Sequence, residues 1–108
     1  MKRLAILVML VSSANCGAAL SQTAGDPARG LTYAKKVCAE CHGVEAVDDQ
    51  SPNTAAPTFK AVVNTRGMTG TALAVWLQSP HPSMPELILP EADRNDVIAY
   101  ILSLGKMR

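Results

Sequence analysis

The sequence predicts an all-α protein of three to four helices joined by ordered loops. In several segments apolar residues recur three and four positions apart, as they do on one face of a helix. No segment shows the strict alternation of apolar and polar residues that is typical of a half-buried strand. With 108 residues, the chain is long enough for one small domain.

The first residues are typical of a signal peptide. Lys2 and Arg3 provide positive charge, and an uninterrupted apolar run of eight residues follows at 4–11. This run is much shorter than the roughly 20 residues of a membrane-spanning helix. The alternatives are a retained anchor and lipidation of Cys16. We predict a signal peptide at 1–19 with cleavage as late as 21, a flexible lead at 20–25, a folded domain at 26–105 and a tail at 106–108.

Export of the chain predicts a periplasmic location, where thiols can oxidise. Removal of Lys2 and Arg3 leaves eight of the ten basic residues against nine acidic ones, a net charge of −1. This balance argues against a broad basic surface for nucleic acid. We interpret most of the remaining charges as solvated surface.

The first helix is predicted from Pro27 to about Val37. Asp26 is suited to cap it, and proline is favourable at the first helical position. Gly30 and Ala34 share one face with Val37. Because glycine lowers helix propensity, Gly30 indicates a packing role, in which another helix approaches closely.

The middle of the chain is rich in loops. Turn residues are frequent at 43–70, but Phe59, Val62 and Val63 have helical spacing and predict a short turn of helix.

A further helix is predicted at 71–78, with Thr69 or Thr71 as its cap. It carries Leu73, Trp76 and Leu77 at helical spacing. Three prolines within the next seven residues end it, because proline cannot continue a helix.

The last helix is predicted to start at Pro90 and to end at Gly105. Leu89 stands where a capping side chain would be expected, so this helix lacks a good cap. Its apolar stripe consists of Val97, Tyr100, Ile101 and Leu104.

The stretch KVCAECHGV, at 36–44, places Cys38, Cys41 and His42 within five positions. A redox dithiol would need a preceding strand, and a structural zinc site would need four ligands, of which only His81 could be added. Covalent attachment of haem uses all three residues: two thiols bond to the porphyrin and the imidazole reaches the iron. The motif therefore favours a c-type haem.

The sixth ligand of the iron has four candidates: Met68, Met84, Met107 and His81. Met84 lies in HPSMP, a proline-bounded loop between two helices, and such a loop can present one side chain rigidly. We predict Met84, with His81 as its rival.

On these residues the chain resembles a small bacterial class I cytochrome c from 25 to 105. The resemblance implies a cytochrome c-like fold around one covalently bound haem, with the first and last helices crossing near Gly30. It implies thioether bonds from Cys38 and Cys41 and iron ligation by His42 and Met84. The matching residues are Gly30, Cys38, Cys41, His42, Ala56, Pro57, Phe59, Met84, Pro85, Val97 and Tyr100.

The resemblance also implies roles for three further cofactor-binding residues. The carbonyl of Pro57 would accept a hydrogen bond from the axial histidine, and Phe59 would pack against the porphyrin. Trp76 would lie near the methionine ligand, although a plain core position is the alternative.

An iron ligated by histidine and methionine has no room for substrate, so we predict a one-electron carrier and not an enzyme. Redox proteins would act as transient donor and acceptor, a membrane-bound oxidase or reductase among them, and we expect a monomer. One alternative is peroxidase-like activity or gas sensing at an open sixth position. The other is a dedicated haem subunit of a dehydrogenase or oxidase complex.

Overall fold

The structure, a computed structural model, describes residues 25–80, 83–84 and 88–105. These residues contain four helices and no strand, which confirms the predicted all-α fold. The predicted signal peptide, most of the lead, the tail, Cys16, His81 and Met107 lie outside the described residues. In the described part of the chain, no helix has the length and apolar character needed to cross a membrane. The helices are α1 (Pro27–Val37), α2 (Phe59–Val63), α3 (Gly70–Gln78) and α4 (Glu91–Ser103).

Helix α1 has the predicted bounds because its signals are local. The Asp26 carboxylate accepts hydrogen bonds from the N–H groups of Ala28 and Arg29, at 2.8 and 3.0 Å. Lys35 and Lys36 lie in the last turn, where positive charge interacts favourably with the helix dipole. Cys38 is the C-terminal cap, so the helix leads directly into the cysteine motif.

Helices α2 and α3 are capped by threonine side chains. The Thr58 hydroxyl accepts the N–H of Ala61 at 3.1 Å, and the Thr69 hydroxyl accepts the N–H of Ala72 at 3.1 Å. Of the two candidate caps of α3, the structure thus selects Thr69. Because of this cap, α3 begins one residue earlier than predicted, at Gly70.

Helix α4 differs from the prediction at its start. Pro90 is its cap position and not its first residue, and no side chain makes a capping hydrogen bond there. Leu89 is buried instead. The helix ends at Ser103 with Leu104 as its cap, so Gly105 follows the cap, as predicted. Gly105 does not adopt a left-handed conformation there, because among the described residues only Gly67 has a positive φ, of 80°.

The core lies where α1 packs against α4. A β-carbon added to Gly30 would overlap the carbonyl oxygen of Asp96 and lie 2.7 Å from the β-carbon of Tyr100. The close approach expected at Gly30 is therefore confirmed. Ala34 is fully buried on the same face, whereas Val37 is half-buried. The buried core consists of Ala34, Val44, Phe59, Leu73, Leu89, Val97, Tyr100 and Ile101.

A charged contact also holds this crossing. Asp96, which is 6% exposed, accepts hydrogen bonds from Nε and Nη2 of Arg29, at 2.9 and 3.2 Å. Its Oδ1 also accepts the backbone N–H of Asp26 at 2.6 Å. The bonds from Arg29, and then that from Asp26, lower the pKa of the Asp96 carboxyl below its usual value. Arg29 is exposed, but it is not simply a solvated charge.

Candidate haem-attachment site

The cysteine motif forms a turn that continues from α1. The N–H of Cys38 donates to the carbonyl of Ala34 at 2.8 Å, and the N–H of His42 donates to the carbonyl of Cys38 at 2.9 Å. The second bond spans four residues, as in an α-helix. Positions 38, 41 and 42 therefore share one side of the turn, because residues three and four apart are neighbours on a helical surface. This places two thiols beside one imidazole.

The imidazole of His42 is held by the main chain. Its Nδ1 lies 2.6 Å from the carbonyl oxygen of Pro57. A carbonyl only accepts, so Nδ1 carries the proton of the neutral ring and the lone pair lies on Nε2. The arrangement leaves Nε2 as the nitrogen that can ligate iron.

The loop at 43–58 folds back onto the motif through main-chain groups. The N–H of Gly43 donates to the Ser51 hydroxyl at 2.9 Å, and the carbonyl of Gly43 accepts the N–H of Phe59 at 2.8 Å. The carbonyl of Cys41 accepts the N–H of Asn53 at 3.2 Å. A β-carbon at Gly43 would lie 2.7 Å from the carbonyl oxygen of Gln50, so the loop approaches as closely as glycine permits.

Two aromatic rings support the imidazole. Phe59 is buried, and its ring centroid lies 5.6 Å from that of His42 at an interplanar angle of 49°. Phe59 also contacts the ring of Tyr100, with centroids 6.4 Å apart. The structure thus brings Pro57 and Phe59, two predicted site residues from later in the chain, to His42.

Cys38 and Cys41 are both half-buried free thiols, with no disulfide between them. Burial raises the pKa of the Cys38 thiol to about 11, so this thiol is protonated at neutral pH. Two free thiols and one imidazole with an available Nε2 are the groups through which a haem can be bound covalently and its iron ligated, and the buried phenyl ring of Phe59 adds an apolar neighbour. The residues present therefore fit this group.

The residues predicted for the other side of the iron come from α3 and the segment after it. Met84 lies in the segment that joins α3 to α4 and is half-buried. Trp76 lies on α3 and is 57% exposed, which does not agree with a plain core position. Met68 is partly buried against the core. The rivals His81 and Met107 lie outside the described residues.

Two features near His42 were not anticipated from the sequence. The Tyr100 hydroxyl donates a buried hydrogen bond of 2.5 Å to the carbonyl of Val44. The Ser51 hydroxyl accepts a hydrogen bond from the N–H of Gly43, the residue after His42. The position of Tyr100 in the apolar stripe of α4 was a partial signal, because a buried tyrosine usually finds a partner for its hydroxyl.

Charged pairs lie at the outer surface of the same loop. Lys35 contacts Glu45 at 2.9 Å beside an open cleft of about 470 Å³, which is also lined by His42 and Val44. Lys60 contacts Asp49 at 2.8 Å. These exposed pairs contribute little to stability.

Comparison with known proteins agrees with this geometry. The sequence model of the cytochrome c family matches residues 27–105. The chain is 35% identical over 98 residues to cytochrome c-552 of Bradyrhizobium diazoefficiens, an alignment that covers 91% of this chain and 89% of that protein. No solved structure gives a significant match. The chain belongs to the cytochrome c family, as a small class I electron-transfer protein, not an enzyme, with one haem c bound covalently through Cys38 and Cys41.

Proposed function

We propose that the protein is a periplasmic one-electron carrier in which His42 and Met84 ligate the haem iron. The observation that carries the proposal is the contact of 2.6 Å between Nδ1 of His42 and the carbonyl of Pro57. This contact keeps the proton on Nδ1 and leaves Nε2 available for the iron.

When bound, the haem supplies a one-electron Fe(III)/Fe(II) couple. His42 presents Nε2, and the Pro57 carbonyl increases the basicity of the ring by accepting its other proton. The thioether of Met84 favours the ferrous state and so raises the reduction potential relative to a second histidine. With His42 and Met84 as its protein ligands, the iron would have no place for a substrate, so the chemistry that it would supply is the exchange of electrons.

The decisive experiment compares Met84→Ala with Met68→Ala in protein matured with haem. We expect reduced Met84→Ala to bind carbon monoxide readily and its reduction potential to fall, because an axial ligand is removed. Met68→Ala removes a methionine that packs against the core, so it should leave the iron closed. An unchanged spectrum and potential in Met84→Ala would assign the sixth position to another residue, with His81 as the first to test.

The predicted signal peptide at 1–19 supports the periplasmic location. Expression in a host that exports and matures c-type cytochromes should yield a periplasmic protein whose mass shows cleavage after a residue between 19 and 21. A haem protein that stays in the membrane fraction at full length would contradict this location.

The exchange of electrons with partners is proposed to be transient, since redox encounters use small interfaces. Purification from native cells at high salt tests this point. We expect the carrier to elute alone, whereas firm copurification with one oxidoreductase would indicate a dedicated subunit.

A further inference from the structure

The hydroxyl of Tyr100 reaches the segment next to the axial histidine. Tyr100 lies at the crossing of α1 and α4 and is 6% exposed. Its hydroxyl donates to the carbonyl of Val44 at 2.5 Å, across 56 residues of sequence. Val44 is two residues after His42 and is itself buried. One hydroxyl thus fixes the backbone that leaves the histidine.

The ring of Tyr100 acts on the same histidine by a second route. It contacts the ring of Phe59, which in turn contacts the imidazole of His42. The N–H of Phe59 donates to the carbonyl of Gly43, the residue between His42 and Val44. Tyr100 therefore touches both the backbone and the aromatic neighbour that border the imidazole.

We propose that Tyr100 is a positioning residue for His42: its bond to Val44 sets the direction in which the imidazole presents Nε2 to the iron. The inference rests on the proposed ligation by His42. Burial raises the pKa of Tyr100, which keeps the hydroxyl protonated and able to donate at neutral pH. We therefore expect the bond in both oxidation states of the iron, and its effect is on the orientation of the His42 imidazole.

The test is Tyr100→Phe in the oxidised, haem-loaded protein, followed by proton NMR. The paramagnetic iron displaces the resonances of an axial imidazole far outside the normal range, and their positions depend on the orientation of the ring. We expect the His42 resonances to move by more than their linewidths and the reduction potential to shift. The reduction potential is a second readout, because hydrogen bonds that orient an iron ligand also tune the potential.

Two control variants separate positioning from stability. Tyr33→Phe removes a hydroxyl from the other tyrosine, which is partly buried against the core on α1. Val97→Ala weakens the α1–α4 crossing at a residue that is 1% exposed, without removing the Tyr100 hydroxyl. We expect neither control to move the His42 resonances, although Val97→Ala lowers the denaturation midpoint.

The outcomes distinguish iron ligation by His42 from the positioning role of Tyr100. If the wild-type protein lacks displaced imidazole resonances, His42 is not the ligand, and both proposals fail. If they are present but stay in place in Tyr100→Phe, with an unchanged potential, only the positioning role fails. Should Tyr100→Phe not mature, incorporation of 3-fluorotyrosine at position 100 retains the ring and alters the strength of the hydroxyl as a donor. Unmoved resonances in that protein would equally overturn the role.

Discussion

The crossing of α1 and α4 and the loop at 43–58 differ in the groups that stabilise them. Side chains stabilise the crossing: Ala34 and Val97 are buried, and the Asp96 carboxylate accepts three hydrogen bonds. Where the loop at 43–58 meets the cysteine motif, carbonyls of Cys41, Gly43 and Pro57 accept hydrogen bonds. Within the loop, the side chains of Asp48, Ser51 and Asn53 also accept backbone N–H groups. A side chain can be removed by substitution, whereas a carbonyl remains whatever residue carries it.

This difference separates stability from ligand geometry. Substitutions at the crossing should lower the free energy of unfolding and leave the surroundings of His42 intact. Substitutions in the loop should lower the free energy of unfolding less, and their main effect should be on the orientation of the His42 imidazole. Tyr100 is the exception because it belongs to both regions.

The largest effect is expected for Gly30→Ala, at the centre of the crossing. Alanine gains up to about 1 kcal/mol in helix propensity over glycine. The new β-carbon, however, would overlap the carbonyl of Asp96, and such overpacking costs about 3 kcal/mol. We therefore expect a net loss of about 2 kcal/mol, measured by guanidinium unfolding of the haem-loaded protein.

Gly70→Ala is the matched control, in α3. There a β-carbon would lie 3.5 Å from Leu102 and 3.8 Å from Ile98, which are ordinary contacts. The higher helix propensity of alanine should then dominate, and the free energy of unfolding should equal that of the wild type or rise slightly. Equal losses in both variants would mean that the crossing is not especially close at Gly30.

The second effect concerns Asp96 and depends on pH. Its folded-state pKa lies below the ordinary value of 3.8, because Arg29 and the N–H of Asp26 favour the charged form. The stabilisation is present above about pH 4 and is lost as the pH falls through the lower, folded-state value. Asp96→Asn should thus be less stable than wild type from pH 5 to 7, and the gap should narrow below pH 4.

Unfolding midpoints at several pH values check this prediction. The potential and the His42 resonances of Asp96→Asn should match those of the wild type, because Asp96 lies at the crossing and not in the loop. A pH-independent gap would show that the charge of Asp96 does not contribute to stability.

The elements that the sequence predicts well are those with local causes. Asp26 and Pro27 mark the start of α1 by contacts within a few residues, and Thr69 does the same for α3. The attachment motif is local as well: it occupies five positions and needs no distant partner to be recognised. The start of α4 was misplaced by one residue because no side chain caps it.

The contacts that escaped prediction join distant parts of the chain. Arg29 and Asp96 are separated by 67 residues, and Val44 and Tyr100 by 56. Spacing along a sequence identifies the face of a helix on which a residue lies, but not the residue that it meets. From the sequence alone, Arg29 therefore belongs among the charges interpreted as solvated surface, and the hydroxyl of Tyr100 has no assigned partner.

A smaller effect is expected for Ser51→Ala, which tests the loop. The Ser51 hydroxyl accepts the N–H of Gly43 at 2.9 Å, a side-chain contact that holds the segment after His42. Loss of one such hydrogen bond costs about 1 kcal/mol. We expect this modest loss together with a measurable displacement of the His42 resonances. A loss of stability without any displacement would contradict the sensitivity of ligand geometry to the loop.

The smallest effect is expected for Asp49→Asn, in the same loop. Asp49 contacts Lys60 at 2.8 Å, and this contact lowers the pKa of the carboxyl, but the side chain is 88% exposed. Solvent screens such a pair, and ordering two mobile side chains offsets its attraction. The unfolding midpoint and the His42 resonances should both stay within error, at low and at high salt. A clear change in either quantity would mean that surface charge helps to shape the loop. The loop and the crossing would then differ in how deeply their stabilising groups are buried, and no longer in whether those groups belong to the main chain or to side chains.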